Sequence, residues 1–408
     1  MTHGTGLSFG SKGIGPRIKA IRKQRGLTQS GLAQRAHVSY STLTKVESGH
    51  LPASPAVTAA LARALRVPAT ELTGQPFIRQ LRSEQLEELI QPLRIAIANP
   101  FHVVDPETEP RTLRALSAEV AQLEELRLSG QGEIGSRLPA IIEELIHAAH
   151  MAPAGRKRER AYWLLASAYR LAYTFTQKLG YTDLGMTALE RLEVAGSRSG
   201  DPCLAGTVSA CRSVFFLHSG AHDLGLADVR RVQTQLEESA VRGERRAIYM
   251  MGHMHLKAAV LHARKGTVGA AAAATGHVQA ACEYADRLPP GFDPYGMIFD
   301  STNVELHNVS IHADLGNFGT AVEEGEKVAF PHAWAKNREA HHHMDMASSY
   351  ERLGKRKKAL SSLLQARSAE AVQTRYHPTT RETVLALLRV RGTPSPELHS
   401  YARWVGAA

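Results

Sequence analysis

RIKAIRKQRGLTQSGLAQRAHVSYSTLTKVESGHLPASPAVTAALARALRVPATEL, residues 17–72, is the stretch on which the reading of the chain turns. Its punctuation cuts it into four short helices and a closing turn. Pro16 stands at an N1-like position, Ile18 and Ile21 share a face, and Gly26 stops the first helix. Thr28 is a good N-cap for a second helix carrying Leu32, Ala33 and Ala36. A turn at His37-Val38 follows. Ser39 then caps a third helix with Leu43 and Val46 on one side, and Gly49 ends it. Ser54 and Pro55 begin a fourth, with Val57, Leu61 and Leu65 inward, and a short turn over Ala69–Leu72 runs to Gly74.

Charge separates this segment from the rest of the chain. The 408 residues carry a net charge of +10. Residues 1–70 hold ten cations (Lys12, Arg17, Lys19, Arg22, Lys23, Arg25, Arg35, Lys45, Arg63 and Arg66) and one acid, Glu47. Nearly all of the excess therefore sits on a small module, as expected of a surface that faces a polyanion. A strong lipid-facing apolar stripe, which a basic membrane-binding face would need, is missing there.

The order and spacing of Leu27-Thr28-Gln29, Leu32-Ala33, Val38-Ser39, Leu43 and Glu47-Ser48-Gly49 resemble the Cro/repressor-type (xenobiotic-response-element) helix-turn-helix family over about residues 14–74. His37 departs from it, standing where the family usually has Gly at a position that often needs φ > 0. The resemblance implies that the third helix lays its N-terminal part along base edges in the major groove. Tyr40, Ser41, Thr44 and Lys45 are then the base-facing candidates, with Lys45 able to donate to guanine O6 or N7. Gln29 matches the family glutamine that braces a phosphate. Ser39 and Thr42 supply backbone-contacting hydroxyls, and Arg17, Arg22 and Arg35 supply charge.

Beyond this head, Ser83–Ile97 reads as an amphipathic helix interrupted by Pro92, followed by a Pro-rich acidic loop and a further helix over Arg111–Leu128. Residues 1–13 read as a flexible tail, 75–125 as a helical linker and 126–408 as one helical domain. Five glycine-centred turns can be aligned there, at Gly180, Gly220, Gly266, Gly316 and Gly354, with spacings of 40, 46, 50 and 38 residues. Five residues after each comes a small side chain (Gly185, Gly225, Ala271, Ala321, Ala359), as close antiparallel helices require. The stretch DMASSYERLGKRKKALSSLLQA resembles a tetratricopeptide repeat at Ala347, Tyr350, Gly354, Ala359, Leu363 and Ala366. The expected fold is all-α, a helix-turn-helix bundle followed by a tetratricopeptide-like α-solenoid. In such a stack the first helix of each hairpin lines the concave side. This places Arg170, Thr174, Gln177, His253, Asn303, Ser310, His341 and Ser348 in a ligand groove.

No pattern of residues points to catalysis, a cofactor or a metal. Adjacent helical residues diverge by about 100°, so His341-His342-His343 cannot converge on one ion, and His253 and His255 share no face. Cys203, Cys211 and Cys282 follow no zinc or redox spacing and suit a reducing compartment. Gly266–Gly276 lacks the preceding strand and the Lys of a phosphate cradle. The first residues hold no apolar signal core, and no apolar run approaches the ~18 residues of a membrane helix. A cytoplasmic, nucleoid-associated protein is expected. The two-part order resembles actinobacterial regulators and peptide-pheromone receptors of Gram-positive bacteria. The resemblance implies a homodimer on double-stranded operator DNA, gated by a peptide or small-molecule effector. The alternatives are a DNA-tethered protein-interaction scaffold and, further off, an enzyme with a DNA-binding head.

Overall fold

Caps written in the sequence set the helices of the head. In the structure, a computed structural model describing residues 13–51, 53–67, 69–73, 83–99, 107–129, 132–332, 334–389 and 395–407, these are α1 Ile14–Gln24, α2 Gln29–Ala36, α3 Tyr40–Ser48, α4 Pro55–Leu65 and α5 Ala69–Thr73. Thr28, Ser39 and Ser54 each accept a hydrogen bond from the backbone N–H three residues on, satisfying a donor that the first helical turn leaves open. Ile18, Leu32, Leu43, Leu61, Leu65 and Leu72 meet in a small core of their own. His37 ends α2 at φ 54°, in the left-handed region that the turn demands. Its short polar ring tolerates this better than a β-branched side chain would.

Residues 75–125 were expected to be a connector, yet α6 Ser83–Ala98 and α7 Leu113–Ser129 put Ile90, Leu93, Ile97, Leu116 and Leu123 into the apolar cluster that also holds the repeats. Helix α8 Gly132–Met151, the first of the expected helical domain, adds Leu138 and Ile142. Helix α6 retains Pro92 inside it.

Five antiparallel hairpins follow: α9 Arg156–Leu179 with α10 Thr182–Arg198, α11 Leu204–Ser219 with α12 His222–Val241, α13 Arg245–Lys265 with α14 Ala270–Ala285, α15 Ser301–Asp314 with α16 Phe318–Gly325, and α17 Lys336–Arg352 with α18 Arg356–Ala369. Each turns on one of the five expected glycines, all at positive φ. Ala321, Ala347, Ala359 and Ala366 are fully buried at the predicted close approaches. Ala271 differs: it is exposed, and Ala270 and Ala274 are buried instead. A second left-handed glycine, Gly269, caps α14 and resets its phase by one residue. Short helices α19 Ala371–Tyr376, α20 Pro378–Leu388 and α21 Pro396–Trp404 close the stack. Among the described residues there is no strand, and no helix is long and apolar enough to cross a membrane.

The first helices α11, α13, α15 and α17 pack side by side, and α20 continues the row. Helix α7 lies on α8 and α9 and reaches across to α17. The buried Arg170 of α9 is ion-paired to Glu124 of α7. The inner side of the stack is thus a strapped channel.

Two glycines test this packing. A Cβ on Gly252 would lie 2.1 Å from Phe299 Cζ, whereas one on Gly354 meets open space but sits at φ 72°. Gly252→Ala is expected to cost about 1–3 kcal/mol by overpacking. Gly354→Ala is expected to cost about 1 kcal/mol, from the left-handed backbone alone. Urea midpoints of the two variants, converted with a common slope, check the order.

Candidate nucleic-acid interface and inner groove

Glu47, the lone acid of the first seventy residues, is the hinge of the head. Its side chain is buried, and Arg22 donates to both of its oxygens, at 2.6 and 2.9 Å. Gln29 Nε2 donates to the same carboxylate at 2.8 Å, and Tyr40 OH reaches Gln29 Oε1 at 3.4 Å. Arg22 also donates to the Leu27 carbonyl at 2.7 Å. One bidentate pair therefore locks α1, the start of α2 and α3 in a single arrangement. The hydrogen bonds it donates to Glu47 hold the Arg22 guanidinium above its ordinary pKa.

This corrects two expected phosphate contacts. Arg22 is 6% exposed and committed to Glu47, because a buried carboxylate demands a paired cation. Arg17 is 5% exposed; its Nε donates to the Leu72 carbonyl at 2.8 Å and its Nη2 to the Thr73 carbonyl at 2.7 Å, closing the C-terminal end of α5. Thr44 is corrected in part. Its Oγ1 is buried without a partner, so it presents no hydroxyl outward. The signal for the Glu47 lock was available: a single acid in a basic segment, in phase with Leu43, has to be held by something.

The remaining residues form an open face. Ser41, Lys45 and Ser48 fall at i, i+4 and i+7 on one exposed stripe of α3. Tyr40 is 56% exposed at its N-terminal end. Ser39 accepts from Thr42 N–H at 3.0 Å, and the two hydroxyls lie 2.7 Å apart, so both are spent largely on the cap. Arg35 is exposed on α2, and Lys19, Lys23 and Arg25 are exposed on or beside α1. His50, which the sequence reading passed over, hydrogen-bonds Ser48 at the end of the stripe.

The head is fastened to the stack on two sides. Arg63 of α4 donates to the Gly220 carbonyl at 2.9 Å. On the other side, Glu382 of α20 accepts from Ile14 N–H at 2.9 Å and lies 3.7 Å from Arg17, while Arg389 donates to the Gly49 carbonyl at 2.9 Å. Gly49 is the cap of α3, so α20 grips the end of the exposed helix.

The inner groove differs from expectation in its members. Arg170, His253 and Asn303 are buried rather than groove-lining. The segment between α14 and α15 covers them: Phe299 stacks edge-on over His253, Asn303 Nδ2 donates to the Ile298 carbonyl, and Gly296 lies against Arg170. Gln177 turns towards Gly185 in its own hairpin, and Thr174 donates to the Arg170 carbonyl. Ser310, His341 and Ser348 are half-buried. Ser310 and His341 do come together, around Asp345, which the sequence reading missed: Ser310 lies close enough to influence its carboxyl, and His341 Nε2 lies 3.9 Å from it. Arg264 pairs with Asp314 at 2.7 Å beside them. The His341 and His377 rings meet at 5.0 Å, and His377 caps α20. No group of side chains among the described residues could hold a metal ion.

This arrangement of short capped helices around an exposed third helix is a helix-turn-helix, a fold that presents one helix to the DNA major groove. Residues 14–73 match the helix-turn-helix domain family. Over 74 residues the chain is 38% identical to an immunity repressor protein of Bacillus phage phi105, across 18% of this chain and 50% of that protein. The chain thus spans about half the length of the relative it matches. Along 96% of its length it aligns with 99% of a PrgX mutant structure, at 11% identity and a TM-score of 0.20.

Two substitutions separate scaffold from reading surface. Glu47→Ala strands the buried Arg22 and is expected to cost the head about 3–5 kcal/mol, with loss of DNA binding. Lys45→Ala is expected to leave the melting temperature unchanged and to cost about 1–3 kcal/mol of base discrimination. Calorimetry and binding-site selection on the same proteins check both.

Asp345 generates a pH prediction. Burial first, then the neighbouring Asp314, raise its carboxyl from 3.8 to about 7. The folded state therefore binds this proton more tightly than the unfolded chain, and stability falls as pH rises from about 4 to about 7. Asp345→Asn is expected to flatten that decline, matching wild type near pH 4 and melting higher above pH 7. A parallel slope across this range would refute the assignment.

Proposed function

We propose that the chain is a transcriptional regulator. It binds double-stranded operator DNA as a homodimer through residues 14–74, and its helical-repeat domain senses a peptide or small ligand. The observation that carries this reading is the double fastening of a basic head whose recognition stripe stays open. A head tethered by a loose linker would be indifferent to the shape of the stack. This one is gripped at α4 by the Gly220 turn and at the end of α3 by Arg389, the C-cap of α20. Helix α20 is itself capped by His377, which touches His341 on the groove side of α17. A ligand that favours one curvature of the stack between α11 and α20 would shift the orientation of α3. It can do so only to the extent that it binds the two arrangements with different affinity. The match to a phage immunity repressor supports the DNA-binding part.

Two heads are needed because one contacts too few base pairs to find a single genomic site. The operator is expected to be an inverted repeat with half-site centres about 34 Å apart, or a multiple of that. With about five phosphates neutralised per head, log K should fall against log salt with a slope of roughly −4 to −5 per head. Sedimentation of the full chain with and without operator, footprinting and a salt titration test all three. A monomer protecting one asymmetric half-site would remove the dimer and the gating built on it.

A further inference from the structure

The inner faces of three neighbouring helices form one continuous polar stripe. On α13, Lys257 and Arg264 lie at i and i+7; on α15, His307, Ser310 and Asp314 follow the same phase; on α17, so do Arg338, His341 and Asp345. The stripe is divided by charge. At one end Arg264, Asp314 and Asp345 offset one another, with Ser310 and His341 around them. At the other end stand Lys257, His307 and Arg338, within electrostatic reach of one another.

Lys257 is the anomaly in that second group. It is half-buried, yet it makes no hydrogen bond or ion pair with any described residue. Burial and then the like charge of Arg338 lower its pKa to about 8, with the Cys211 thiol opposing them and Arg264 adding a smaller repulsion. His307 is fixed as a neutral ring: its Nδ1 lies 2.8 Å from the Asn303 carbonyl and must carry the proton, so it brings no negative charge to balance the ammonium. A cation held in a concave, protein-lined space without a counter-charge costs free energy that an incoming anion would recover.

The stripe is not a packed interior, since Lys257, His307, Ser310, His341 and Asp345 all keep partial exposure. His341 keeps 39% of its side-chain surface although it is desolvated enough for its pKa to fall to about 4. A ring that is both lies on the wall of a groove, and α7 touches α17, which carries this ring.

We propose that this channel binds one anionic group of a small ligand, a carboxylate or a phosphate, seated on the Lys257 ammonium between α13, α15 and α17. The proposal rests on the sensing role argued above and names the chemistry the sensor reads. A planar carboxylate and a phosphate both present oxygen acceptors at the distance a lysine donates. The neutral ring of His307 leaves room for the anion without repelling it.

Isothermal titration of the full chain with two probes tests this: inorganic phosphate, and acetyl-trialanine with a free or an amidated C terminus, at constant ionic strength. One saturable site per chain is expected for phosphate or for the free acid, and the tighter of the two names the source. Lys257→Met and Lys257→Gln are each expected to weaken it at least tenfold, and Lys257→Arg to keep it within a few-fold. Both neutral variants are expected to melt no lower than wild type, since they remove an unpaired charge. No saturable binding to wild type, or equal binding to Lys257→Met or Lys257→Gln, overturns the proposal. Operator affinity measured on the same samples separates the two levels. If a low-molecular-mass cell fraction alters DNA binding while neither probe binds, the anion site falls and sensing stands. If a probe binds through Lys257 and DNA affinity does not move, the anion site stands and gating falls.

Discussion

The buried pair between Arg22 and Glu47 is the constraint from which the head's geometry follows. A small bundle of short helices has little apolar surface with which to fix the angle between its second and third members. Its core side chains alone would tolerate several crossing angles. A bidentate ion pair permits far fewer, because both oxygens and both nitrogens have to meet in one plane. Gln29 extends the lock to the start of α2, and Tyr40 extends it to the start of α3. The cations left exposed, among them Arg35 and Lys45, are positioned by a cation that is itself almost wholly buried.

Local rules made most of the fold legible. Thr28, Ser39 and Ser54 announced three helix starts, and Gly180, Gly220, Gly266, Gly316 and Gly354 announced five reversals, because caps and left-handed turns depend on one or two residues at a time. What stayed hidden depended on partners distant in sequence. Helices α6 and α7 look like a connector in isolation, and nothing local reveals that Ile90 and Leu123 enter the core of the repeats. Arg17 reads as a free cation until the end of α5 folds back onto it. The groove shows the same limit. Helical phase put Ser310 and His341 on the inner side, where both are half-buried, but the coverage of His253 by Phe299 belongs to an irregular segment whose path no periodicity encodes.

The channel and the head share one structural member. Helix α20 begins at a histidine in contact with the channel wall and carries, along its length, the carboxylate and guanidinium that hold α1 and the end of α3. On the proposed reading, coupling would need no long relay, since a single stiff helix touches both places.

The Gly220 turn has a consequence for how such proteins are recombined. A side chain there would collide with the Arg63 guanidinium, which occupies the space a Cβ would need. The glycine thus serves two masters: it reverses the chain between α11 and α12, and it opens a seat for a residue of another module. A chimaera that joins this head to a foreign repeat tail would inherit the reversal from any glycine turn. It would not inherit the seat, nor the grip of α20 on the far side. Modular exchange in this architecture is therefore confined to tails that carry both halves of the cradle, so the head and its stack are expected to travel through evolution as one unit.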